Sequence, residues 1–169
     1  MTDSKGIIKG LLNRLLAGER GNLPLHLALI LEASSPLKNE DQHYDALLPS
    51  TFARVRVDPD TFQETIRIIC SELSSNPDAG LLFAVSMTGS DTVTRLVVDL
   101  LVSPPRPLTI NEVQQMLGIL ESYLPFALSK NVNFVNSSLQ TRLSSVLGQL
   151  SSSSDFVIQR HVRNLKKFL

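Results

Sequence analysis

The sequence predicts an α+β fold: an antiparallel sheet of four or five strands covered by helices, with a C-terminal helical hairpin. Three observations predict it. Several short segments alternate apolar and polar residues, or are apolar on both sides, as strands are. Others repeat their apolar residues at three and four positions, as helices do. The strand-like segments cluster instead of alternating strictly with helices, which favours antiparallel pairing. With 169 residues, 43% of them hydrophobic, the chain is long enough for one ordinary core. That core is assigned to residues 1–128, and residues 129–169 form a helical extension.

Residues 4–17 place Ile7, Leu11 and Leu15 beside Ile8, Leu12 and Leu16 on one broad helical face, stopped by Gly18, Gly21 and Pro24. Leu25, Leu27, Leu29 and Leu31 then alternate with His26, Ala28, Ile30 and Glu32, the pattern of an interior strand. Residues 34–51 show no period and read as a loop. Residues 52–57 alternate again, with Arg54 and Arg56 on the outer side of a short strand. Asp58 and Pro59 start a helix, since Asp caps open amides and Pro loses no bond at the first helical position. Phe62, Ile66, Ile69, Cys70 and Leu73 form its inner face.

Residues 80–87 are apolar on both sides and read as a central strand. Thr88, Gly89, Ser90 and Asp91 supply turn chemistry before a partner strand over residues 92–102. In that strand Arg95 and Asp99 share the outer face as an ion pair. Pro104, Pro105 and Pro107 make a stiff exit. Thr109 and Glu112 have the spacing of a capping box, flanked by Leu108 and Val113 as a hydrophobic staple. Ile110, Val113, Met116, Leu117, Leu120 and Leu124 face the core, and Pro125 kinks or ends this helix. In the serine-rich remainder, Val135, Leu139, Leu143, Val146, Leu147 and Leu150 line one helix. Ile158, Val162, Leu165 and Leu169 line another, capped by Ser154 or Asp155.

Charge is unevenly placed although the formal net charge is zero. Residues 1–20 hold four bases against two acids, residues 21–121 six against thirteen, and residues 122–169 six against one. A chain so divided satisfies itself by folding its basic end over its acidic middle, or by docking on another copy. Arg160, Arg163, Lys166 and Lys167 also suit the negative end of the last helix. The same four bases are candidates for contact with an acidic partner surface or with nucleic acid. Phe156 and Phe168 are the aromatics near them, and both read as buried, so base stacking is not indicated.

The familiar catalytic signatures are absent from the sequence: there is no HExxH, paired CxxC, GxSxG or P-loop. His43 among Glu40, Asp41 and Asp45 offers ligand atoms without a fixed geometry, so no metal and no cofactor is implied. His26 reads as a structural imidazole and Cys70 as a small core residue. The single cysteine fits a reducing, cytoplasmic or nuclear compartment. No stretch is long and apolar enough to span a bilayer. The N-terminus lacks the apolar core of a secretory signal, and Asp3 and Glu19 argue against a mitochondrial-type leader.

These observations lead to a non-enzymatic interaction protein that self-associates as a homo-oligomer, most simply a dimer, serving as adaptor, scaffold or assembly subunit. The expected interface is the apolar stripe of the two closing helices: Leu139, Leu143, Val146, Leu150, Ile158, Val162 and Leu165. The alternative is a nucleic-acid-binding protein using the basic C-terminal helix.

Overall fold

The computed structural model describes residues 3–35, 48–52, 54–88, 90–129 and 137–169. The helices among them are α1 (Ser4–Leu16), α2 (Leu23–Ser34), α3 (Pro59–Ser75), α4 (Ala79–Val85), α5 (Asp91–Val102), α6 (Ile110–Ser129), α7 (Ser137–Leu150) and α8 (Phe156–Lys166). No strand occurs among the described residues. The fold is therefore all-α, and the expected α+β sheet is replaced by helices.

The correction has a physical cause in each segment. The leucines of residues 25–31 lie in α2, which buries Leu23, Leu27, Ala28, Leu29, Ile30, Leu31 and Ala33. A segment apolar almost all round has no period to separate a buried helix from a buried strand, and Leu and Ala are strong helix formers. The same ambiguity covers residues 80–87, where α4 buries Leu81, Leu82, Ala84 and Val85. In α5 the buried set is Val93, Thr94, Val97, Val98 and Leu100, a helical face. Arg95 and Asp99, four residues apart, share one side of a strand and equally one side of a helix. The turn expected over residues 88–91 is instead a helix start, with Ser90 as the N-cap and Asp91 in the first turn of α5, because the residues that favour turns also favour helix N-termini. The described residues 52 and 54–57 form no strand, and Arg54 at φ 65° leaves the extended region altogether. The loop expected over residues 34–51 falls largely outside the described residues.

The chain divides into two compact units, Met1–Leu73 with Gly80–Gly89, and Ser74–Ala79 with Ser90–Leu169. In the first, Asp3 caps α1 by accepting from the Gly6 amide at 3.0 Å. The same helix ends where Gly18 adopts φ 103°. There the Gly18 amide reaches the Leu15 carbonyl and the Glu19 amide reaches that of Arg14, both at 3.1 Å, a Schellman closure that needs a residue tolerant of positive φ. Helix α2 packs on α1. Its C-terminal end is tied by Ser34 Oγ, which accepts from the Val57 amide at 3.1 Å, and by Ser35 Oγ, which donates to the Thr88 carbonyl at 3.0 Å. Leu15, Leu27, Ile30, Leu31, Ile66, Ile69 and Leu82 are fully buried here.

In the second unit α6 packs on α5 and α8, and α7 packs on α5 and α8. The expected capping box is present: the Thr109 amide donates to Glu112 Oε1 at 2.9 Å, and the Glu112 amide to Thr109 Oγ1 at 3.1 Å. Pro125 does not end α6, which runs on to Ser129. Helices α6 and α8 run parallel, since Gln114 Nε2 bonds Asp155 Oδ1 at 3.0 Å and, further along both helices, Asn164 Nδ2 bonds Glu121 Oε1 at 2.8 Å. Asp155 also caps α8 by accepting from the Ile158 amide at 2.9 Å. Val97, Val98, Met116, Leu117, Leu120, Leu147 and Leu165 make the centre of this unit.

Candidate functional site

The first unit contains an open groove of about 620 Å³ between α1 and α3. Its apolar lining comes from Ile8, Leu12 and Leu16 of α1 and Ile68 of α3. The spacing that buries Ile8, Leu11, Leu12 and Leu15 leaves Lys5 and Lys9 on the α1 wall. The α3 wall carries Asp58, Asp60 and Glu64, with Thr61 and Thr65 between them. One wall is therefore basic and the other acidic, along a shared apolar floor.

Asp58 and Glu64 of the acidic wall are held in their charged form. Asp58 accepts from Thr61 Oγ1 at 2.6 Å and from the Thr61 amide at 3.2 Å. These bonds, with a smaller contribution from the nearby Lys5 charge, hold its carboxyl below the usual aspartate range. Glu64 accepts from Arg67 Nε at 2.9 Å and Nη2 at 2.6 Å, and the Arg67 bond keeps its carboxyl below the usual glutamate range. Thr65 directs its hydroxyl to the Thr61 carbonyl at 2.7 Å. The groove is built to attract groups of both signs and to cover apolar surface.

The residues expected at an interface lie elsewhere. Leu143, Val146, Ile158, Val162 and Leu165 are buried within the single chain, in the packing of α7 and α8 with α5 and α6. Leu150 is half-buried, and the Leu139 side chain lies outside the described residues. Arg160, Arg163, Lys166 and Lys167 are exposed, with Lys166 Nζ donating to Ser151 Oγ at 2.7 Å. Part of the opposed charge is satisfied inside the second unit. Asp99, expected beside Arg95, bonds Arg142 of α7, and Glu121 of α6 bonds His161 of α8. Phe156, expected to be buried, is 68% exposed.

The other chemical candidates have structural surroundings. His26 is half-buried on α2 with its ring 5.6 Å from that of Phe52. Cys70 is buried, and burial pushes its thiol up to about 11, away from the thiolate a nucleophile requires. His43 and its acidic neighbours lie outside the described residues. Among the described residues no group of three or more His, Cys, Asp or Glu side chains is placed to hold a metal ion. No described helix is long and apolar enough to cross a membrane.

No protein-family model, curated protein or solved structure matches the chain. The groove itself was missed by the sequence reading, although both walls carried a signal. The basic face of α1 and the acidic excess after residue 20 are visible as charge counts, but only folding sets Lys5 and Lys9 opposite Asp58, Asp60 and Glu64.

Proposed function

We propose that the chain is a non-enzymatic interaction protein that self-associates through the α1–α3 groove, serving as an adaptor, scaffold or assembly subunit. The observation that carries this reading is the pairing of a basic wall with an acidic wall over one apolar floor. The buried stripes of α7 and α8 are not available for this role. A two-fold contact presents the same patch from both partners. With the axis running along the groove, the lysine wall of each copy faces the carboxylate wall of the other. The lysine stems lie over the apolar floor while their ammonium groups reach the acids. Opposed charge sets the register and the encounter rate, and the covered apolar surface supplies attraction. The lone buried cysteine agrees with a reducing, cytoplasmic or nuclear setting.

Sedimentation equilibrium of the full chain tests the reading. Wild type is expected to dimerise, more weakly as salt rises. Lys5→Glu with Lys9→Glu makes both walls acidic, and Asp60→Lys with Glu64→Lys makes the groove predominantly basic. Each double variant is expected to be monomeric alone, and an equimolar mixture is expected to form heterodimers. A wild type that stays monomeric at all concentrations and salts overturns the proposal. So do reversed variants that dimerise as wild type does.

A further inference from the structure

Helix α8 carries a second surface, independent of the groove. Its inner stripe, Ile158, Val162 and Leu165, is buried. Its outer face exposes Phe156, Arg160, Arg163 and Lys167, which step by four, three and four residues and so form one row about 16 Å long. Among the described residues Phe156 is the most exposed of the large apolar side chains, at 68%. No acidic residue follows Asp155 in the sequence. Asp155 is occupied at the start of the helix by the Ile158 amide and Gln114, so the negative charge lies at the aromatic end of the row and the bases run away from it. On α6, Glu121 feels the Arg160 charge and is already engaged by His161 and Asn164.

We infer that this row binds single-stranded nucleic acid, with one base stacked on the Phe156 ring and the backbone phosphates following Arg160, Arg163 and Lys167. Bases attract phosphate whatever the sequence, and an exposed aromatic ring at the end of a basic track is the element that separates a stacking surface from a merely cationic one. A single strand fits better than a duplex, because only an unstacked base offers its face to the ring. An anionic membrane fits less well. Attachment of a helix to a bilayer scales with the apolar area it inserts, and the apolar stripe of α8 is already used inside the protein, leaving a single ring.

Fluorescence anisotropy of the full chain with labelled twelve-residue oligouridylate and oligothymidylate tests the inference. The wild type is expected to bind at least one of the two, with affinity falling as salt rises. Phe156→Ala is expected to weaken binding about tenfold with an unchanged salt slope. Arg160→Gln, Arg163→Gln and Lys167→Gln together are expected to reduce the magnitude of the slope of log K against log salt by about 2. The four side chains are exposed, so melting curves of both variants should overlay the wild type. The groove variants Lys5→Glu and Lys9→Glu should bind the oligomers unchanged, which separates this inference from the self-association reading. Equal affinity of Phe156→Ala and wild type overturns it. So does equal affinity for a duplex of the same length, or binding to phosphatidylserine vesicles with none to either oligomer.

Discussion

Arg106 grips both carboxylate oxygens of Glu112, Nη1 to Oε1 at 2.9 Å and Nη2 to Oε2 at 2.8 Å. The same Oε1 accepts the Thr109 amide of the capping box, and Arg106 Nη2 also reaches the Pro77 carbonyl at 2.5 Å. One carboxylate, only 5% exposed at its side chain, thus joins the start of α6 to the segment between α3 and α4. Glu112→Ala removes both the cap and the fork and is expected to cost about 2 to 3 kcal/mol in urea unfolding. Arg106→Ala should cost less, since Glu112 keeps its Thr109 bonds and loses only the fork. The two losses should be non-additive in a double-mutant cycle.

The same pair sets an acid limit on stability. The Arg106 fork outweighs burial and, with the Thr109 bonds, holds the Glu112 carboxyl at about 2 against an ordinary 4.5. A group depressed in the fold contributes fully above its unfolded value, and that contribution fades as pH falls through its folded value. Stability from this residue is therefore complete above about pH 4.5, declines between 4.5 and 2, and is gone below. Melting temperatures of wild type and Glu112→Gln across this range should converge on acidification. Parallel curves would refute the assignment.

Between α6 and α8, Glu121 serves two donors, His161 Nδ1 and Asn164 Nδ2. Burial disfavours its charge, yet the two hydrogen bonds, with the His161 and Arg160 charges, prevail and hold its carboxyl below the usual range. Glu121→Ala leaves both donors without their acceptor and is expected to cost about 1 to 3 kcal/mol. Asn164→Ala should cost less, because His161 retains its bond to the carboxylate. Thermal or urea melts rank the two, and the reverse order would remove Glu121 from the centre of the cluster.

The two faces of α8 should respond in opposite ways to truncation. Leu165 is fully buried, so Leu165→Ala is expected to cost about 2 to 5 kcal/mol. Phe156→Ala should stay within about 0.5 kcal/mol of wild type. Chemical denaturation of the two variants checks the contrast.

Cys70 should resist alkylation in the folded protein. Its thiol is buried and pushed up to about 11, so both access and thiolate fraction are low at pH 8. Labelling with a maleimide is expected to be slow in buffer and complete in denaturant, counted by mass spectrometry. Rapid labelling of the native protein would show that the helix face carrying Cys70 opens.

The elements legible in the sequence were those whose signals are local and redundant. Thr109 with Glu112, Asp58 with Pro59, and Gly18 after an i, i+4 leucine face each satisfy backbone groups within a few residues, and each appears where the spacing places it. The alternating leucines of α2 misled because their neighbours are apolar as well, and α5 because Arg95 and Asp99 share one side of a strand and of a helix alike, so both segments meet strand and helix criteria together. Phe156 misled in a different way. It lies two residues before Ile158, where the buried row begins, and apolar character alone does not say which side of a helix end is covered.

The order of residues by itself determined where α1, α3, α6 and α8 start and where α1 stops, which face of α1 and α3 turns inward, and how the bases and acids are apportioned along the chain. Tertiary structure decided that the wholly apolar segments become helices and that the closing stripes are covered by α5 and α6 in the same copy. It also decided that Lys5 and Lys9 meet an acidic wall. The reason is range: a cap or an amphipathic face is stabilised by atoms a turn away, whereas burial on all sides and the opposition of charges depend on partners distant in sequence, which only the packed chain supplies.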